Sequence, residues 1–338
     1  MAWNRNPNVE WIFNNSPDPW SSTATEAVWE RYNDIDSDIL EKAFQNKQKT
    51  VSLGNYYVSL VPNKMVQVHK LDEYRQRPIR RREGTPVSRI AQRQDRFNFT
   101  DKLGSKTFGN TGVCMSPFVE EWIRRNPNYK FKEETIEQLA SGLEQEGVAI
   151  GEADAAKFIA LEIRQHKHEE RSKMIEYCVR LYTADTWIYR LVNSTLREND
   201  MSKVDTLGPF CCFIRNFLHA SQKEHEDEEM VVYRGMELEP KDIQVYKDCV
   251  GEVHSWFAFS STTKSRAVAE NFAVNVLFEI HFDGFSASHY PGRDISILSN
   301  YPKEEEILLQ PGADFRIDEV KEQKIGGRKL TIIRLALM

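Results

Sequence analysis

The sequence predicts an α+β protein of two domains, and three observations carry that prediction. Between residues 116 and 222 the apolar residues recur at helical spacing. From about residue 228 the period changes to the alternation of strands. Helices first and strands second argue for an α+β domain rather than a doubly wound sheet. Ahead of both, a polar stretch holds Gly84, Pro86, Gly104, Gly109 and Gly112 without periodicity and sets apart a smaller N-terminal module. The boundaries therefore fall at 1–82 for that module, 83–115 for a linker and 116–338 for the larger domain. The larger domain divides into a helical part, 116–225, and a β-rich part, 226–338. A chain of 338 residues suits two domains.

In the N-terminal module "TATEAVWERYN", "VSLGNYYVSLV" and "KMVQVHKL" read as strands. "SDILEKAFQNK" reads as a helix, capped by Ser37 and burying Ile39, Leu40 and Phe44. In the helical part "SPFVEEWIRRN" opens with Ser116 as a cap and Pro117 in the first turn. "KEETIEQLASGLEQEG" places Ile136, Leu139 and Leu143 on one face, with Gly147 as a stop. "DAAKFIALEIRQHKHEERSKMIEYCVRLYT", "DTWIYRLVNSTLREND" and "GPFCCFIRNFLHAS" continue the helical pattern. The strands follow in "EMVVYRGM", "SWFAFSST", "VLFEIHF", "RDISILS", "EEILLQ", "ADFRIDEVKEQK" and "RKLTIIRLAL". Gly326-Gly327 marks a hairpin turn between the last two, and "KSRAVAENFA" is a helix among the strands.

Composition removes several classes. Apolar content of 40% and aromatic content of 11% suffice for a sizeable core. A net charge of −6 argues against a chain-wide attraction to nucleic acid, and no sequence-specific nucleic-acid partner is expected. No run approaches the ~20 apolar residues that span a bilayer, so no membrane partner is expected. "MAWNRNPNVEW" lacks the apolar core of a signal peptide. With five cysteines in no framework spacing, the expectation is free thiols and a cytoplasmic or nuclear location. Arginines cluster from Arg75 to Arg96, and "HEDEEM" reads as a solvated acidic loop. His166 and His168 have no companion ligands at metal spacing and read as a helix surface, so no metal is expected. Cys211 and Cys212 sit in an apolar helix and read as core. No phosphate-binding glycine loop of either common type is present.

Three short motifs sit at strand ends in the β-rich part: Tyr233-Arg234-Gly235, Ser261-Thr262-Thr263 and Glu304-Glu305-Glu306. Singly, each has a bland reading: a surface arginine, a helix cap, a solvated turn. Together they suit one chemistry. Arg234 offers a planar fork for a phosphate, and Gly235 lets a flat ligand approach the backbone. Strand alternation would put Glu304 and Glu306 on one face and Glu305 on the other. Two carboxylates on one face can divide the stabilisation of a sugar cation and the deprotonation of a nucleophile.

The order Arg, Ser-Thr-Thr, Glu-x-Glu resembles the R-S-E class of arginine-specific mono-ADP-ribosyltransferases. "LYTADTWIYRLVNSTLR", "FAFSSTTKSRAVAENFA" and "SNYPKEEEILLQPGADFRI" extend that resemblance over residues 150 to 338. It implies a helical lobe followed by two packed, mostly antiparallel sheets, with NAD+ as substrate and protein arginines as acceptors. Carried over by position, Arg234, Ser261, Glu304 and Glu306 are the catalytic residues. Arg234, Gly235, Ser261, Thr262 and Glu306 hold NAD+, with Thr263 completing the middle motif. Tyr301 and Glu304 recognise the acceptor. Threonine stands at 263 where the family often has serine, and "FSSTT" also allows Ser260 in the place of Ser261.

Residues 9 to 82 carry a second resemblance. Trp11, Trp29 and Glu41, with "NYYVSLVPNKMVQV" and "RQRPIRRR", are similar to a WWE domain, a reader of poly-ADP-ribose through its iso-ADP-ribose unit. By position, Tyr32 would stack on adenine, Gln67 would hydrogen-bond, and Arg77, with Arg80, would meet phosphate. Two other functions fit the same motifs: an NAD+ glycohydrolase, with water replacing arginine, and a non-catalytic ADP-ribose-binding adaptor.

Overall fold

A computed structural model of the chain describes residues 9–20, 28–83, 108, 116–129, 132–219, 230–282 and 291–338. Cys114, "HEDEE" and nearly all of the expected linker lie outside the described residues. The chain divides into two compact units. Residues 1–89, 136–168 and 184–187 form the first, and residues 90–135, 169–183 and 188–338 form the second.

The first unit is built on a six-stranded sheet. Its strands are β1 (Val9–Asn14), β2 (Trp29–Arg31), β3 (Thr50–Leu53), β4 (Tyr56–Ser59), β5 (Val66–His69) and β6 (Asp72–Glu83), in the order β2-β1-β6-β5-β4-β3. The neighbouring strands within it pair antiparallel. "VSLGNYYVSLV" is two strands rather than one, because Gly54 takes φ +55° and turns the chain into a hairpin. Helix α1 (Asp34–Gln45) is capped by Asn33, whose side chain accepts from the Asp36 N–H; Ser37 lies inside the first turn.

Trp11 is fully buried in this unit, and its indole N–H donates to Glu41 Oε2 at 3.0 Å. Arg81 grips the same carboxylate with Nε and Nη2, both at 2.8 Å. The tryptophan is thus core, and Glu41 joins helix to sheet.

Residues 136–168 belong to this first unit. They hold most of α2 and α3, defined by Glu133–Ala149 and Ala153–Gln165. Asp154 accepts from Ser52 Oγ at 2.9 Å and from the Gly54 N–H at 3.0 Å, and Lys42 pairs with Glu162. Gly147 does not stop its helix. A Cβ there would lie 2.4 Å from Ala156 Cβ and 2.7 Å from Trp187 Cζ2, so the glycine permits close packing.

The second unit contains α4 (Pro117–Arg125), α5 (Arg171–Thr183), α6 (Trp187–Glu198) and α7 (Val204–Leu218), with Trp187 itself falling in the first unit. Its strands are β7 (Met230–Met236), β8 (Val253–Trp256), β9 (Ser260–Thr263), β10 (Val276–Phe282), β11 (Gly292–Asp294), β12 (Glu306–Leu309), β13 (Ala313–Ile325) and β14 (Arg328–Leu337). Helices α8 (Pro240–Asp248) and α9 (Arg266–Phe272) lie between strands, and α8 has no counterpart in the sequence reading. The strand order is β11-β12-β9-β7-β10-β14-β13-β8.

Only the β10–β14 pair is parallel, and it is central. That position accounts for the nearly unbroken apolar runs "VLFEI" and "LTIIRLAL", since such a pair is covered on both faces. Glu279 within it is 8% exposed and is held by Arg266 at 2.8 Å. β7 and β9 meet through one residue pair, Tyr233 opposite Thr263. The ladder is therefore two sheets, β11-β12-β9 and β7-β10-β14-β13-β8, joined at a seam. That arrangement meets the expectation of two mostly antiparallel sheets. Gly326 and Gly327, at φ +56° and +82°, form the hairpin turn between β13 and β14 as their sequence predicts. Among the described residues no helix is long and apolar enough to cross a membrane, and Cys178, Cys211, Cys212 and Cys249 are free thiols.

The Glu41 network generates a prediction. Burial alone would raise the Glu41 carboxyl, but hydrogen bonds from Arg81, Gln45 and Trp11 more than offset this and hold it below the usual range. A depressed carboxyl stabilises the fold above its unfolded pKa, and that contribution fades as pH falls through the folded value. Glu41→Ala should cost about 2–3 kcal/mol at neutral pH, because it leaves the Arg81 charge half-buried. In urea titrations, the gap to the parent should narrow only below about pH 4.

Candidate active site

The site lies at the seam between the two sheets of the second unit. Arg234 sits on β7, and its Nη1 donates to Ser261 O on β9 at 2.8 Å. Ser261, Thr262 and Thr263 are all buried on β9, and Ser261 stands opposite Leu308 and Thr263 opposite Glu306. Ser260 stands opposite Leu309 on the same ladder and is buried as well, and the bond from Arg234 goes to the backbone of Ser261.

The two threonines bind backbone. Thr262 is fully buried and donates from Oγ1 to Ile307 O at 2.8 Å. The hydroxyl of Thr262 is therefore directed at β12. Thr263 Oγ1 donates to Glu304 O at 2.6 Å and accepts from the Ser265 N–H at 3.0 Å. This second bond opens α9, whose cap is Ser265.

The glutamates are not three residues of one strand. Pro302–Glu304 is a 3-10 turn, Glu305 is left-handed at φ 47°, ψ 48°, and β12 begins only at Glu306. Glu304 is 7% exposed and Glu306 fully buried, while Glu305 is exposed. The expected division into two inward carboxylates and one outward holds, but strand alternation is not its cause. The left-handed residue reverses the chain between them, and the Lys264 N–H donates to Glu305 O at 3.2 Å to hold the reversal.

Gly235 also has a cause the sequence did not show. A Cβ there would lie 2.0 Å from Ala269 O and 2.4 Å from Ala273 N, at the end of α9. Glycine is demanded by the helix crossing β7, whatever approaches the other side of the backbone.

Tyr301 is buried, 6% exposed, and its N–H donates to Ser299 Oγ at 3.0 Å. The neighbouring Asn300 explains this. Its Nδ2 donates to Arg180 O at 2.9 Å and to Thr183 Oγ1 at 3.2 Å, drawing the turn onto the end of α5. The exposed residue of this segment is Ile297, at 92%. Sequence reasoning missed Asn300 and Ile297; the polar "SN" before Tyr301 was the available signal for the first. It also missed the ion pair of Lys264 with Asp294 at 2.6 Å, which ties β9 to the end of β11.

In the first unit Tyr32 and Gln67 are both buried and share a hydrogen bond from the tyrosine hydroxyl to Gln67 Oε1. Arg77 stands opposite Gln67 in register and donates from Nη1 to Asn14 O at 2.9 Å and Ser16 O at 3.1 Å. Arg80 is exposed, with its guanidinium stacked 4.2 Å over the Trp29 ring. The structure thus brings Tyr32, Gln67 and Arg77 together and gives Arg80 a separate aromatic partner.

Comparison with known proteins distinguishes two domains. The family model for the ADP-ribosyltransferase exoenzyme matches residues 130–338. The chain belongs to the ADP-ribosyltransferase exoenzyme family. Its N-terminal module is a WWE domain, matched over residues 9–81. Similar solved structures include Plx2a, an ADP-ribosyltransferase toxin from Paenibacillus larvae, at 18% identity and TM-score 0.41 over 48% of this chain and 85% of that one. The ADP-ribosyltransferase HopU1 of Pseudomonas syringae pv. Tomato DC3000 matches at 23% identity and TM-score 0.40, over 49% of this chain and 77% of that one. The type III effector XopAI from Xanthomonas axonopodis pv. citri matches at 16% identity and TM-score 0.44, over 68% of this chain and all of that one. No curated protein sequence matches the chain. This ADP-ribosyltransferase therefore joins a transferase domain to a WWE domain in one polypeptide.

Three substitutions at two positions test the backbone of the transferase site. Glu305→Gly should leave stability unchanged or slightly raised, whereas Glu305→Val should lower it by about 1–2 kcal/mol, because a β-branched residue resists the left-handed region. Gly235→Ala should cost about 3 kcal/mol, since the clash is with backbone that cannot swing aside. Thermal unfolding of the three variants against the parent measures both.

Proposed function

We propose that the chain transfers ADP-ribose from NAD+ to arginine side chains of proteins, and that its WWE domain docks it on poly-ADP-ribose. The observation that carries the reading is the burial of two carboxylates, Glu304 and Glu306, on either side of left-handed Glu305 and next to Ser261–Thr263 on the neighbouring strand. Arg234 takes a phosphate of NAD+ with its planar fork and holds Ser261 in place through the carbonyl. Gly235, Ser261 and strand residue Thr262 line the nicotinamide end. Glu306 holds the ribose and stabilises the cation that forms as the C1–N bond breaks and nicotinamide leaves with the bonding pair. Glu304 holds the incoming guanidinium and accepts the proton it must lose, since a group with a pKa above ~12 does not attack while fully protonated. The nitrogen then bonds C1, and the product keeps the charge of the guanidinium.

The acceptor meets the turn before Glu304, where Ile297 is exposed and Tyr301 supports the turn from inside. In the WWE domain the Tyr32, Gln67 and Arg77 cluster forms the iso-ADP-ribose end. Arg80 on Trp29 offers a second cation to the polymer.

Nicotinamide release tests the transfer. Glu306→Gln should lower it by roughly 100-fold or more, the scale of removing one charge-stabilising group from an active site. Equal rates in parent and variant would sink the catalytic assignment. Glu304→Gln should abolish labelling of arginine-containing protein while NAD+ hydrolysis continues. NAD+ hydrolysis by the parent without labelling of arginine-containing protein would favour the glycohydrolase. Arg77→Ala should leave labelling of unmodified targets intact and remove the preference for poly-ADP-ribosylated ones.

A further inference from the structure

We propose that Cys249, Glu252 and His254 form a binding site for a borderline divalent metal ion, Zn2+ in the first instance, at the edge of the transferase sheet remote from the seam. The three residues come from a short turn. Cys249 caps the end of α8, Glu252 leaves the turn, and His254 lies on β8. One thiol sulfur, one carboxylate oxygen and one imidazole nitrogen lie within 4.8 Å of one another. His254 Nε2 and Glu252 Oε2 are 3.1 Å apart. Zinc bonds of about 2.0–2.3 Å in a tetrahedral shell hold ligand atoms roughly 3.3–3.6 Å apart, so small rotations close the present triangle around an ion. Among the described residues this is the one cluster of metal-ligating side chains that meets that spacing.

The donors are also held in place without the ion. Gly251, at φ +90°, makes the turn, and its N–H donates to Ile317 O at 2.8 Å. The Ile317 N–H donates to Glu252 O at 3.1 Å, and the Glu252 N–H donates to Cys249 O at 3.0 Å. The His254 ring stacks on Phe108, with centroids 4.4 Å apart and planes 26° from parallel. Stacking fixes the plane of the ring while leaving its nitrogens directed along it. Such outer contacts are what orient a metal-binding histidine.

A soft sulfur, an imidazole and a carboxylate select Zn2+ and its neighbours over Mg2+ or Ca2+, which prefer all-oxygen shells. Three protein ligands at an edge strand leave a fourth position for water. Binding replaces the thiol proton, which goes to solvent as the sulfur–metal bond forms. The ion would tie the end of α8 to β8, the strand that closes the sheet opposite β11. The sequence reading passed over this set because Cys-x2-Glu-x-His spans a helix end and a strand rather than a familiar finger spacing.

Titration of the full chain with Co2+ tests the site, because a cobalt–thiolate bond gives a charge-transfer band in the near ultraviolet. The parent should show a band saturating at one equivalent, bleached by Zn2+, and Cys114→Ser should keep it. Cys249→Ser should lose it, and Glu252→Gln and His254→Gln should each weaken binding by roughly tenfold or more. Glu252 is exposed, so its variant decides the matter even where Cys249→Ser fails to fold. No saturable band in the parent, or a band unchanged in both Cys249→Ser and Glu252→Gln, would overturn the proposal.

Discussion

The sheet of the transferase unit narrows to one backbone pair, Tyr233 with Thr263, and the bond from Arg234 to the Ser261 carbonyl bridges that seam. Everything at the site depends on how the small sheet is held there. A seam between two sheets lacks a full ladder, so side chains must supply the missing backbone partners. Arg234 does so across the seam by donating to a carbonyl of β9, while Thr262 and Thr263 brace the small sheet by donating to β12 and to the turn before it. The residues that look like ligand contacts in the sequence are in large part the ones that keep the seam in register.

The left-handed conformation of Glu305 depends on the same seam. A non-glycine residue in that region costs about 1 kcal/mol and persists only where its surroundings impose it. Here the Thr263 hydroxyl holds Glu304 from one side and the Lys264 N–H holds Glu305 itself. The reversal places two carboxylates inward from positions that an extended strand would also have turned inward, but with the first of them on a turn. A turn residue can be positioned by the segment that carries it, and Asn300 anchors that segment to the end of α5. Glu304 and the exposed Ile297 therefore belong to one tethered loop, while Glu306 belongs to the strand.

The WWE domain shows a parallel economy. The residues that define its pattern are engaged internally: Trp11 and Arg81 on Glu41, Tyr32 on Gln67, and Arg77 on two loop carbonyls. A ligand site made of such residues is preorganised, since their rotamers are fixed before anything binds.

The sequence by itself determined the α+β class, the presence of a WWE domain and a transferase domain, and most element positions. Those features are written in local terms: the helical or strand period of apolar residues, glycine pairs at turns, and short motifs whose order along the chain is the signal. Tertiary structure decided the rest. Gly147 and Gly235 read as a stop and a ligand approach, yet their reasons are Trp187 and the end of α9, which only folding brings near. Tyr301 is buried, because Asn300 bonds to groups 117 and 120 residues away along the chain. Residues 136–168 read with the transferase helices and match its family model, and they pack with the strands of the first unit, since apolar periodicity fixes which face of a helix is buried and not what buries it. Long-range partners of this kind leave no local trace, and so the glutamate pair could be read from the chain while the left-handed residue that orients it could not.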